Sequence, residues 1–218
     1  MLEVMDTTLR DGEQMSGVSY TPDEKLSIAK VLLEEAHVDR IEIASAKVSD
    51  GESLGARLVV EWAESRGIVE KVEILGFTDA GASASWVADL GGKVMNVLAK
   101  GSLNHLTNQL SKTPEQHLKD INETVIQADL IGVGCNIYLE DWSNGMINSP
   151  DYVFTLIDRL ADTPALRIML PDTLGVLSPS MVSEMVASIL SRFPNCSFDF
   201  HAHNDYGLAT ANTLAAVA

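Results

Sequence analysis

The sequence predicts an α/β fold of the (β/α)8 barrel type, and three observations lead there. Seven short apolar runs rich in Val and Ile alternate with longer amphipathic stretches along the chain. Polar residues gather where those runs end: Arg10-Asp11, Glu140-Asp141, Asp172-Thr173 and His201/His203. No Gly-x-Gly-x-x-Gly follows the first run, which removes the usual reason to prefer a dinucleotide-binding sheet. Regular strand–helix alternation implies a parallel sheet covered by helices. An open doubly wound sheet and a barrel both satisfy it. Sites assembled from several strand C-terminal ends favour the barrel.

The predicted strands are residues 2–8, 38–44, 71–77, 93–99, 134–140, 166–172 and 197–203. Between them, stretches such as "DEKLSIAKVLLEEA" and "SMVSEMVASILSRF" place apolar residues at helical i, i+3, i+4 spacing. Four helix starts carry a hydroxyl residue before proline: Thr21-Pro22, Thr113-Pro114, Ser149-Pro150 and Ser178-Pro179. The hydroxyl caps free backbone N–H groups, and proline at the first helical position gives up a donor that had no partner. Thr21 with Glu24 and Thr113 with Gln116 fit a capping box. The final "ATANTLAAVA" reads as the start of a seventh helix, so the last βα unit of a barrel is expected to be missing. No linker or composition break interrupts the chain. Residues 1–218 are therefore expected to form one C-terminally truncated catalytic barrel domain.

Composition narrows the function. The chain has 218 residues, 46% of them hydrophobic and 21% charged, with a net charge of −16 and no block of Lys or Arg. Nucleic acid and anionic membranes are poor partners for such a surface. An anionic substrate would need a metal or a placed Arg. No apolar run reaches membrane-spanning length and the N-terminus does not read as a signal peptide. Cys135 and Cys196 show no metal-binding spacing and no disulfide framework. Both read as core residues of a protein in a reducing cytoplasm.

"FDFHAHND" (198–205) raises the sharpest chemical question. In a strand, i and i+2 side chains share a face, so His201 and His203 converge. Asp11, at the end of the first strand, would close a set of two imidazoles and a carboxylate. Such a set suits Zn²⁺, Mn²⁺, Fe²⁺ or Co²⁺. The plain alternative is one core histidine and one exposed histidine. "DTTLRDGEQ" (6–14) crowds Arg10, Asp11, Glu13 and Gln14 around Gly12. A turn with solvated charges is the plain reading there.

"LRDGEQ" followed by Lys25, together with "FDFHAHNDYGLATA", resembles the two signatures of the α-isopropylmalate/homocitrate synthase family. Asp6, Arg10 and Asp11 match the Asp-x-x-x-Arg-Asp fingerprint of the wider group of metal-dependent barrel lyases and synthases. "IYLEDWSNG" and "LPDTLGVLSP" look most like the citramalate synthase branch. The resemblance implies an acyltransferase of branched-chain amino-acid biosynthesis. It would join the methyl group of acetyl-CoA to a 2-oxo acid and hydrolyse the thioester. It implies a divalent metal (Mn, Zn, Mg or Co) on Asp11, His201 and His203, and Arg10 where negative charge develops on oxygen. Thr173 would bind the substrate carboxylate, and Glu140 would orient or exchange protons, or else only support the metal's surroundings. A cytoplasmic homodimer is expected.

Leu75, Leu98 and Tyr138 fall at the ends of strands 3, 4 and 5. In the family such positions line the pocket for the 2-oxo acid side chain. Their bulk leaves room for little more than a methyl group, which favours pyruvate over 2-oxoisovalerate. Ordinary core packing is the other reading of these residues. Three functional readings remain: this synthase, a 2-isopropylmalate synthase or metal-dependent lyase of the same group, and a fragment that binds metal or 2-oxo acid without turnover. The linker and regulatory segments usual in the family, and the eighth-strand metal ligand, are not in the sequence.

Overall fold

The computed structural model describes residues 2–218. Its strands are β1 (Met5–Asp6), β2 (Arg40–Ser45), β3 (Val72–Phe77), β4 (Val94–Lys100), β5 (Gly134–Glu140), β6 (Arg167–Asp172) and β7 (Phe198–Ala202). They form one seven-stranded sheet in chain order. The β1–β2, β2–β3, β5–β6 and β6–β7 pairs are parallel. The helices are α1 (Pro22–Lys30), α2 (Asp50–Arg66), α3 (Ala82–Asp89), α4 (Leu103–Gln109), α5 (Pro114–Leu130), α6 (Trp142–Asn148), α7 (Pro150–Leu160), α8 (Pro179–Arg192) and α9 (Ala209–Val217). Strand order following chain order, with helices between, is the winding of a (β/α)8 barrel. The chain forms an open parallel sheet with seven of that fold's strands.

The chain divides into two compact units, Met1–Val97 with Ile126–Cys135, and Leu98–Val125 with Asn136–Ala218. In the first, Ile41, Ile43 and Ile74 are fully buried, and α2 turns Ala56, Val59, Val60 and Ala63 inward at helical spacing. In the second, Ile168, Met169 and Leu170 of β6 are buried, and α7 buries Val153, Leu156, Ile157 and Leu160.

Three expectations need correction. β1 pairs only over Met5 and Asp6, because the Asp6 carboxylate accepts the Thr8 N–H at 2.8 Å and turns the chain there. Ser149 precedes α7 but makes no side-chain cap; its hydroxyl donates to the Gly145 carbonyl at 3.3 Å. Cys135 is buried, whereas Cys196 is only half-buried, in the turn before β7. The remaining caps form. Thr21 and Glu24 make the full capping box, Thr113 and Gln116 bond reciprocally, and Ser178 accepts the Met181 N–H at 3.4 Å.

Candidate active site

Arg10 and Asp11 are set by the backbone that follows β1. The Thr7 carbonyl accepts N–H bonds from Arg10 (3.1 Å), Asp11 (2.8 Å) and Gly12 (3.1 Å), which closes the chain into a tight turn. The Arg10 guanidinium bonds Asp11 Oδ1 at 2.7 Å and, through Nε, Glu42 Oε2. Glu42 lies mid-way along β2, fully buried, and its other oxygen accepts the Asn96 amide at 2.7 Å. Its neighbour in register, Glu73, pairs with Arg40 at 2.8 Å. Burial raises the Glu73 carboxyl above its usual range, and the Arg40 charge opposes the rise. Leu75 shares a strand face with Glu73 and is 5% exposed.

In the second unit, the groups expected to act on substrate lie on β4–β7. Lys100 ends β4 and its ammonium pairs with the Glu140 carboxylate at the end of β5. Both backbone groups of Lys100 are held. His117 Nε2 accepts its N–H at 2.9 Å, and the Tyr152 hydroxyl donates to its carbonyl at 2.7 Å. His117 is fully buried, and desolvation depresses its pKa to about 4, which keeps the ring a neutral acceptor. The Gly101 N–H bonds the Glu140 carbonyl at 2.7 Å. Close packing requires glycine twice here. A Cβ on Gly101 would lie 2.4 Å from the Leu139 carbonyl oxygen, and one on Gly145 2.0 Å from that of Gly101.

Thr173 follows β6. Its Oγ1 accepts the backbone N–H of Asp141 at 2.9 Å, and a hydroxyl that accepts can still donate its own hydrogen. Asp141 holds a left-handed backbone (φ 64°) and is fixed by Ser102 at 2.6 Å and Asn144 at 2.8 Å. The His201 and His203 rings stack with centroids 4.9 Å apart and 23° between planes. Tyr138 meets His201 edge-on at 6.1 Å. The His203 N–H donates to the Asp172 carbonyl at 3.3 Å, tying the end of β7 to that of β6.

Leu75, Leu98 and Tyr138 do not end their strands. Each strand runs two residues further, so they sit one side-chain layer below Phe77, Lys100 and Glu140. Sequence reasoning missed Glu42, Lys100 and His117, and it gave Asp141 only as a polar residue at a strand end. Glu42 had one available signal, a charge set between two isoleucines of a strand.

Strand-end carboxylates, cations and imidazoles put the chain in the class of (β/α)-barrel proteins whose functional side chains collect at the C-terminal face. The HMGL-like family profile matches residues 1–218, and the chain belongs to that family. It is 35% identical over 214 residues to a homocitrate synthase of Sulfolobus acidocaldarius, spanning 98% of this chain and 44% of that protein. A homocitrate synthase of Saccharolobus islandicus is 34% identical over 215 residues, covering 98% and 45%. The chain thus spans somewhat less than half the length of these relatives. Among solved structures, an HMG-CoA lyase from Pseudomonas aeruginosa superposes with a TM-score of 0.76 at 19% identity, covering 99% of this chain and 72% of that one. The Acinetobacter baumannii HMG-CoA lyase, solved with coenzyme A and 3-methylmalate, gives a TM-score of 0.71 at 21% identity, covering 100% and 71%. At these identities the solved structures share the fold. Among the described residues, no helix is long and apolar enough to cross a membrane.

Proposed function

We propose that the chain is the barrel portion of a metal-dependent acyltransferase that condenses acetyl-CoA with pyruvate and hydrolyses the thioester to give citramalate. The observation that carries this reading is the stacked His201–His203 pair at the end of β7, in a chain that the HMGL-like family matches throughout.

The donor set fits a divalent cation. Asp11 offers a carboxylate oxygen, His201 and His203 each offer one ring nitrogen, and all three side chains are half-buried. A cation held by these residues supplies Lewis acidity to the keto oxygen and carboxylate of a 2-oxo acid. Arg10, fixed by Glu42 and Asp11, donates to oxygen as negative charge develops there. Thr173, with its lone pair engaged by Asp141, donates its hydrogen to the substrate carboxylate. Glu140, held by Lys100, orients or exchanges protons near the reacting carbons. Leu75, Leu98 and Tyr138 offer apolar bulk to the 2-oxo acid side chain, which supports a methyl group over a branched one.

Calorimetric titration of pyruvate and of 2-oxoisovalerate into the Mn²⁺-loaded protein tests the reading. Tighter pyruvate binding that is lost in His203→Ala is expected. Leu75→Ala and Tyr138→Ala should shift preference toward the larger acid, on the scale of roughly 1–3 kcal/mol per methylene. Tighter binding of 2-oxoisovalerate would replace pyruvate as the substrate. Homocitrate formation is the second reading, favoured by the relatives at 34–35% identity. Release of free CoA from acetyl-CoA with 2-oxo acids of increasing length separates the condensations. Acetyl-CoA produced from a hydroxyacyl-CoA would instead indicate a lyase. A homodimer belongs to the same proposal, and sedimentation of the whole protein tests it.

A further inference from the structure

We propose that Lys25 is a positioning residue for Arg10 and Asp11. The inference deepens the reading above and rests on it for the metal-binding part of its test. Lys25 lies in the first turn of α1 and is 2% exposed. Its ammonium donates to Glu52 Oε2 at 2.8 Å and to the Leu9 and Ile43 carbonyls, each at 3.1 Å, and it forms an ion pair with Glu13 Oε2 at 2.7 Å. Leu9 directly precedes Arg10, and Glu13 follows shortly after Asp11. One buried cation therefore grips the chain on both sides of the Arg10-Asp11 pair. Ile43 directly follows Glu42, the carboxylate that holds the Arg10 guanidinium. The same ammonium thus fixes the backbone of Arg10 and the strand beside its side-chain partner.

Folding alone does not call for this charge. Burying an ammonium carries a large desolvation penalty, and well-packed apolar residues often replace buried ion networks without loss of stability. The start of α1 is already secured by its capping box. Yet the surroundings are shaped for the lysine. A Cβ on Gly55 would come within 3.2 Å of Lys25 Cδ, so glycine there leaves space for the stem. The acidic partners are tied in turn to the loops they meet. Glu13 accepts the Tyr20 N–H at 2.8 Å, and Glu52 accepts the Ser45 N–H at 3.2 Å, at the end of β2. The network joins the loop after β1 to the end of β2 through one nitrogen atom.

The test pairs amide hydrogen exchange with Mn²⁺ affinity in the wild-type chain, Lys25→Met, Lys25→Arg and Glu13→Gln. Lys25→Met strands two carboxylates and threatens folding, so Glu13→Gln is the decisive variant: it loosens the loop side of the grip and leaves the ammonium in place. In Glu13→Gln the amides of Arg10, Asp11 and Gly12, all bonded to the Thr7 carbonyl, should exchange about tenfold faster while β6 amides keep their protection. The Mn²⁺ Kd should rise about tenfold, the low end of what lost support around a metal site costs. Lys25→Arg, which keeps the charge, should restore most of the protection. Unchanged exchange at the three amides in folded Glu13→Gln overturns the proposal and leaves Lys25 a stabilising role only. A wild-type chain that binds no Mn²⁺ sinks the metal reading alone, and the exchange result still decides Lys25.

Discussion

The strand ends around Arg10 and around Glu140 solve the same problem with different materials. Near Arg10, position is set by charge: Glu42 and Lys25 are buried, and each partners several groups. Near Glu140, the Lys100–Glu140 ion pair rides on backbone that neutral groups and close contact hold in place. A buried imidazole and a phenol hold the backbone of Lys100, and two glycines let carbonyls approach. The first arrangement should fail when a charge is deleted. The second should fail when a proton or a methyl group is added.

Deleting a charge should give the largest effect. Glu42→Gln removes the fully buried charge that faces Arg10 and leaves it only the more exposed Asp11 as anion, and breaking such a buried pair costs about 3–5 kcal/mol. Urea unfolding measures this, and a loss below about 1 kcal/mol would erase the contrast between the regions.

Adding a proton at His117 comes next. Its folded pKa of about 4 lies below the ordinary value of 6.5. Between those values the unfolded chain binds a proton that the folded chain refuses. Stability is therefore full above about pH 6.5 and falls as pH drops toward 4, by about 3 kcal/mol in all. Thermal unfolding of wild type and His117→Asn across that window should show the slope in the first and its loss in the second. Parallel curves would mean that the ring is protonated in the fold.

A methyl group at Gly145 should act more mildly. The added Cβ of Gly145→Ala meets a backbone oxygen, and overpacking of this sort costs about 1–3 kcal/mol, against roughly 1 kcal/mol gained in helix propensity. Calorimetry should therefore show a lowered Tm. A raised Tm would mean that α6 shifts freely, and the packing account of this region would fail.

Much of this was legible in the sequence, for reasons that are local. Strand runs, proline-led helix starts and capping boxes depend on residues within one turn of each other, and most of them form as expected. Ser149 shows the limit. Its hydroxyl oxygen accepts the distant Leu103 N–H at 3.3 Å while its hydrogen goes to the Gly145 carbonyl, partners that a capping rule does not weigh. The His-x-His pair was legible because strand periodicity alone brings the rings together. Glu42, Lys100 and His117 were not, because their partners lie far along the chain, at Arg10, Glu140 and Lys100. Periodicity gives a buried charge its face, but its counter-charge comes only from the fold.

The stretch expected to continue α1 has a consequence of its own. From Val31 to Glu35 the backbone widens into a π-helical turn, with the Ala36 N–H reaching the Val31 carbonyl at 2.8 Å. Such a turn holds one residue more than an α-helix needs to cover the same distance. It acts as a reservoir of chain length between Lys25 and β2. Removing one residue there would let the segment relax to ordinary helix while both flanks keep their places. Length variation in this part of the fold can therefore be absorbed away from Arg10 and Asp11.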